Sequence, residues 1–308
     1  MKPSRKLVPV IGKILMLASF AFIVRQILRY DVDFSVLASP PVITGLLLTA
    51  LAFGIGIVFS GLNYKWLIGN VTGVSLGGRL VVRIYCTSNL YKYIPGTVMY
   101  LIGRNRIALE TQKVSHAQIA LATAMEGIFI LLAALIVVAL SVHEQAVSYV
   151  RQLSVPVFVW IIAGAVLFAL LLLAAIFRRR LRTGLQKLID TVKRFSPATK
   201  AKRLGTAILV IVVLALTYLV TLVLLGQEVA PAMIPTILGL YLLSWLAGFL
   251  TPGAAGGMGI REAVLLMFMG AYLSPGIVVS SAIMHRVVCI VGDVFAYGIA
   301  FAYSRTKK

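Results

Sequence analysis

The chain has 308 residues, 60% of them hydrophobic and 12% charged, with a mean hydropathy of +1.00, whereas an ordinary soluble domain carries about 25% charged residues. That composition excludes a soluble enzyme or binding module and marks a polytopic integral membrane protein, read as an all-α bundle because helices satisfy their own backbone groups in lipid. Lys and Arg number 29 against 9 Asp and Glu, a net charge of +20, but the cations cluster between apolar runs, so their neighbours are anionic lipid headgroups and no nucleic acid is expected.

A bilayer core about 30 Å thick takes roughly 20 apolar residues of helix. The first such run, 7–28, has Lys13 and Arg25 near its ends as snorkelling cations; it is longer than a signal-peptide core and no small-residue cleavage site follows, so it is expected to persist. The loop 29–41 holds Asp31 and Asp33, an Asp-x-Asp pair able to grip a divalent cation beside a phosphate. After the run 42–62 comes a basic stretch, 63–116, with Lys65, Arg79, Arg83, Lys92, Arg104, Arg106 and Lys113 against Glu110. Inside it, Pro95 and Gly96 interrupt an apolar segment ahead of Arg104. The runs 117–140 and 156–177 flank a loop at 141–155 of little net charge, and Glu126 sits ten residues into the first of them.

Residues 178–204 hold ten basic residues and one acid, Asp190. Leu181, Leu185, Leu188, Ile189, Val192 and Phe195 fall on one helical stripe, so 179–195 reads either as an amphipathic helix on the inner leaflet, bound to anionic lipid, or as an ordinary basic loop. The stretch divides a first half, about 1–177, from a second, about 205–308, within a single membrane domain. The second half has runs at 205–226 and 277–302, a shorter one at 234–250 and one at 260–273 too short to cross alone. Between the last two lies FLTPGAAGGMGIREA, residues 249–263, with Pro252 and four glycines, Gly253, Gly256, Gly257 and Gly259, directly before Arg261 and Glu262. The final run carries His285, Arg286 and Asp293, which at seven- and eight-residue spacing can share a helix face.

Broken backbone at membrane depth is tolerated only where protein covers it or water reaches it, and interrupted helices in corresponding halves point to a transporter's substrate site. Both interruptions read Pro-Gly-x7-Arg, and in each the arginine is taken to open a short apolar stretch. Between them they supply the candidate substrate-binding residues: Pro95, Gly96 and Arg104 in the first, and Pro252, Gly253, Gly256, Gly257, Gly259, Arg261 and Glu262 in the second. The glycines can turn successive N–H groups into an anion-binding concavity at a helix N-terminus, with Arg261 adding a fixed charge. The competing reading is a tight loop whose glycines only permit close packing.

Glu126 and Asp293 are expected to neutralise some of Arg104, Arg261 and Arg286, and either a coupling proton or a plain structural ion pair would account for them. The Lys and Arg distribution puts the N-terminus, 63–116 and 178–204 in the cytoplasm, and two oppositely entered hairpins then give about 6–8 crossings and an inverted repeat. Cys86 and Cys289 lack metal-ligand spacing and read as small buried hydrophobes; no cofactor or metal is expected.

Gly259, Arg261, Glu262 and Ala263 after the Pro-Gly-rich break, Tyr93-Ile94-Pro95-Gly96 with Gly103-Arg104, and Val32-Asp33 before a span ending Tyr64-Lys65-Trp66-Leu67 resemble the flippase-like membrane domain of lysylphosphatidylglycerol synthases. Stand-alone relatives in that family are associated with glycolipid, hopanoid or polyprenyl-linked sugar pathways. The likeness covers essentially the whole chain, although Thr97 to Ile102 lack the second glycine pair of many members. It implies a flippase for an anionic phospholipid or a polyprenyl-phosphate-linked glycolipid, in the cytoplasmic (inner) membrane of a bacterium or archaeon, with a glycosyltransferase or other envelope-pathway enzyme as a partner. Lysyl transfer is not expected, since the synthases carry it in a soluble carboxy-terminal domain and this sequence ends six residues after its last apolar run. No Walker A sequence is present, so ATP-driven transport is not expected either. The alternatives are a membrane glycosyltransferase using Asp31 and Asp33, or an accessory scaffold of a glycolipid pathway.

Overall fold

The computed structural model describes residues 25, 28, 39–93, 99–152, 178–251, 257 and 259–305. Most of the run 7–28, the run 156–177, Lys13, Asp31, Asp33, Pro95, Gly96, Pro252, Gly253 and Gly256 lie outside them. Among the described residues all regular structure is helical, and five helices are long and apolar enough to cross a membrane: 40–72, 116–142, 197–224, 231–250 and 275–305. The protein is an integral membrane helical bundle.

Helix α1 spans Pro40–Thr72. Its 33 residues make about 50 Å, well beyond the apolar run 42–62. Prolines fit its first positions, where their missing N–H is not needed, and Gly73 ends it at φ +73°, donating its N–H to Gly69 O at 2.8 Å. The basic stretch that follows is itself folded: α2 covers Gly78–Leu90, a tight turn Tyr91–Tyr93 leads into the first break, and α3 (Met99–Arg104) and α4 (Arg106–Thr111) follow it.

Helix α5, His116–Gln152, starts at a reciprocal cap: the Gln118 N–H donates to Ser115 Oγ at 3.3 Å, and the Ser115 N–H to Gln118 Oε1 at 2.8 Å. It continues through residues 141–152, expected as a loop, because neither proline nor glycine occurs there to stop it; the next proline is Pro156. Helix α7, Pro197–Leu224, begins eight residues ahead of the expected 205, at Ser196, whose Oγ accepts the Thr199 N–H at 3.2 Å. Helix α8 (Ile234–Leu250) and the ten-residue α9 (Ile260–Met269) flank the second break, and α10 (Pro275–Arg305) closes the bundle.

Residues 1–142 with 203–308 form one compact unit and 143–202 another. The second contains α6, Arg178–Arg194, with the amphipathic pattern that 179–195 predicts. In the first, α10 lies along α1 at a glycine crossing: a Cβ on Gly54 would stand 2.6 Å from Gly292 O, and one on Gly292 would stand 2.6 Å from Ala50 O. Small residues allow such backbone approach where apolar side chains gain nothing by leaving lipid. One apolar cluster joins α5, α7, α8, α9 and α10, and another joins α1, α2, α4, α5 and α10.

Candidate functional site

The second break turns through residues that only glycine suits. Gly257 and Gly259 have φ of +74° and +81°. Arg261, the second residue of α9, runs its side chain between Gly257 and Gly248 of α8. A Cβ on Gly248 would come within 2.5 Å of Arg261 Cγ, and one on Gly257 within 2.9 Å of Nε. The guanidinium lies 5.8 Å from the Trp245 ring centre, Nε is buried without a partner, and no carboxylate among the described residues pairs with it. This is a partly buried positive charge whose attraction is unspent.

Its neighbour is fully committed. Glu262, buried, accepts the Gly259 N–H on Oε2 at 2.8 Å and pairs through Oε1 with Arg286 Nη2 of α10 at 2.9 Å. Of the N–H groups expected to form a concavity, the Gly259 donor is taken by the chain's own carboxylate, which caps α9, and those of Gly253 and Gly256 lie outside the described residues.

The first break treats its arginine differently. Arg104 pairs with Glu126 of α5, whose other oxygen accepts the Tyr85 hydroxyl at 2.9 Å. The guanidinium also lies 4.8 Å from the Tyr64 ring centre, 4.3 Å from Tyr85 and 5.5 Å from Tyr100, a cage of electron-rich faces. Gly103 sits close to α2, where a Cβ would meet Ser88 Oγ at 2.7 Å. The matched spacing Pro-Gly-x7-Arg does not place the two arginines alike: Arg104 is the last residue of α3, whereas Arg261 stands at the opening of α9.

Helix α10 joins the two breaks. Arg286 holds Glu262; seven residues on, about 10 Å along the axis, Asp293 holds the turn before the first break. Lys92 Nζ lies 2.6 Å from Asp293 Oδ2, and the Tyr93 hydroxyl donates to the same oxygen at 2.5 Å. Asp293 is 0% exposed, and its Oδ1 has no partner. Of the expected neutralisations, Glu126 meets Arg104, while Asp293 meets Lys92 rather than an arginine, and Arg286 is met by Glu262.

His285 does not join Asp293. It faces α7 and α8, with Nε2 3.0 Å from Thr217 Oγ1 and Nδ1 3.3 Å from the Tyr241 hydroxyl, edge-on to Tyr218 and Tyr241. Eight residues is about 80° off two full turns, enough to give His285 and Asp293 different neighbours.

Sequence reasoning missed Lys92 as a partner, the tyrosine cage and Arg203. Lys92 had a signal in its setting, Tyr91-Lys92-Tyr93, with only Ile94 between it and Pro95. Arg203 was counted among the cations of a basic stretch, although Ser196-Pro197 is a helix start that puts it almost two turns inside α7. Among the described residues no group of three His, Cys, Asp or Glu side chains could hold a metal ion. The chain matches no known family model and no curated protein.

Proposed function

We propose that this protein moves a lipid with an anionic headgroup, a phospholipid or a polyprenyl-phosphate-linked glycolipid, between leaflets of the cytoplasmic membrane, with its N-terminus on the cytoplasmic side. The observation that carries the reading is Arg261: a guanidinium held in a two-glycine slot at a break between helices, with no carboxylate among the described residues against it. Burying a cation unpaired is costly, so such a group is retained where a guest supplies the missing charge. A phosphate does so with short, charge-assisted hydrogen bonds.

The rest of the site suits movement. Headgroup phosphate docks on Arg261 while the tail stays in hydrocarbon. Arg286 and Asp293 tie the second and first breaks to one helix, so a shift of α10 relative to either hairpin loosens a specific contact, Glu262–Arg286 or Lys92–Asp293. Arg104, already neutralised by Glu126, offers a second docking point only if that pair opens.

The test is leaflet translocation in proteoliposomes with quenchable anionic lipids and polyprenyl-phosphate sugars, comparing the wild type with Arg261→Gln. Translocation should fall to the protein-free background in the variant while reconstitution is unchanged; full transport by a well-inserted variant removes Arg261 from the mechanism.

A further inference from the structure

A second cation is left without a carboxylate among the described residues, on α7. Arg203 of α7 is 7% exposed and pairs with no carboxylate among the described residues. Its Nη1 donates to Asn63 O at 3.3 Å and Oδ1 at 3.4 Å, and its guanidinium lies 5.8 Å from the Trp66 ring centre. Arg203 Nε and Asn63 Nδ2 are both buried without partners, and both residues line one cavity between α1, α5 and α7. Two unsatisfied donors on residues that line one cavity favour an acceptor bound beside them, because each otherwise costs its full desolvation.

The cavity's charge and size restrict that acceptor. Glu126 also lines it, but its two oxygens are held by Arg104 and Tyr85, so Arg203 leaves one positive charge in surplus. At about 40 Å³ there is room for roughly three water-sized groups, which suits the non-bridging oxygens of a phosphate. Leu67, Phe129 and Val210 contribute apolar wall, beside the hydroxyls of Ser60 and Thr206, which donate to Gly56 O and Arg203 O.

Its depth restricts the source. Asn63 is the first residue after the apolar run 42–62, and Arg203 stands two residues before the run 205–226. Both therefore stand at the ends of their apolar runs, as does Trp66, a residue type that favours the headgroup boundary, while Glu126, Phe129 and Ile130 wall the cavity from the middle of the run 117–140, so the cavity reaches inward from that boundary.

We infer that Arg203 and Asn63 form a phosphate-binding site for a membrane lipid at the headgroup boundary, separate from the Arg261 slot. It relies on the lipid-transport reading for the identity of the ligand's carrier but not for the binding itself. Tyr64, whose ring faces Arg104, and Glu126, which pairs with Arg104, form one wall, so a headgroup held here waits beside the Arg104–Glu126 pair.

The test uses full-length protein in detergent with Trp66 as its only tryptophan, through Trp160→Phe and Trp245→Phe, titrated with phosphatidylglycerol carrying brominated chains. Trp66 quenching should saturate, and a brominated galactosyl diacylglycerol of matched chains, lacking phosphate, should not reproduce it. Arg203→Gln and Asn63→Leu should each weaken binding about tenfold or more, Arg203→Lys should restore part of it, and Arg261→Gln should leave it unchanged. Displacement by unlabelled phosphatidylglycerol but not by millimolar inorganic phosphate assigns the ligand to the lipid; equal displacement by inorganic phosphate keeps the anion site and overturns its assignment to lipid. Equal quenching by the galactolipid, or undiminished binding in a folded Arg203→Gln or Asn63→Leu variant, overturns the site. If this binding stands while translocation is absent, only the transport reading falls.

Discussion

The two breaks each bring an arginine into the bundle and then handle it in opposite ways. Arg104 is paired with Glu126, ringed by Tyr64, Tyr85 and Tyr100, and finished as a piece of structure. Arg261 has glycines where Arg104 has tyrosines, and its adjacent glutamate is spent on Gly259 and Arg286. The difference teaches that a shared spacing of proline, glycine and arginine does not give a shared electrostatic state: both arginines keep a buried Nε without a partner, but the charge of one is saturated by a carboxylate and, among the described residues, that of the other is not.

The contrast can be broken most forcefully at the saturated end. Glu126→Leu alone, or Arg104→Met alone, leaves a buried charge uncompensated and should destabilise the protein by about 3–5 kcal/mol, whereas the double substitution should recover most of that loss. Thermal unfolding of the purified variants in detergent reads all three; a double variant no more stable than the singles would mean the pair is not an isolated unit. Tyr85→Phe, which removes one hydrogen bond to the Glu126 carboxylate, should cost about 1.5–3 kcal/mol in the same measurement.

The open end predicts a different pattern. Gly257→Ala places a methyl group at a φ of +74° and 2.8 Å from Gly248 Cα, and should cost about 1–3 kcal/mol while also reducing translocation by displacing Arg261. The smallest stability effect belongs to Arg261→Gln, within about 0.5 kcal/mol of wild type or slightly stabilising, because no partner loses its charge. That variant joins negligible destabilisation to complete loss of transport. A large drop in unfolding temperature would show Arg261 to be a structural pair like Arg104 and erase the contrast.

Hydropathy made the long lipid-facing helices legible and little else. The run 42–62 marks α1 but stops ten residues short of Thr72, because Asn63, Tyr64, Lys65 and Trp66 continue the helix into a polar boundary that a hydrophobicity pattern cannot follow. Helix α2 was legible only as part of a broken hairpin, not as a helix with its own bounds. Its sequence, GRLVVRIYCTSNL, mixes polar with apolar residues because its buried face meets protein rather than lipid. In the site, Arg104 and Glu126 are readable as complementary charges, one beside a break and the other deep in a span. The partnership of Lys92 with Asp293 is not, because 201 positions separate them and the packing of α10 against α1 and α2 brings them together. Glu262, grouped in sequence with the substrate-binding candidates, caps α9 and pairs with Arg286.

The meeting of Gly54 with Gly292 bears on which parts are free to travel. Where main chain touches main chain there is no cushion of side chains to shear, so α1 and α10 form one stiff post, and the Asp293 anchor is a single residue from the weld. A cysteine cross-link engineered elsewhere along that seam would be expected to leave the machine running, whereas one locking Gly248 to the loop at Gly257 would jam it.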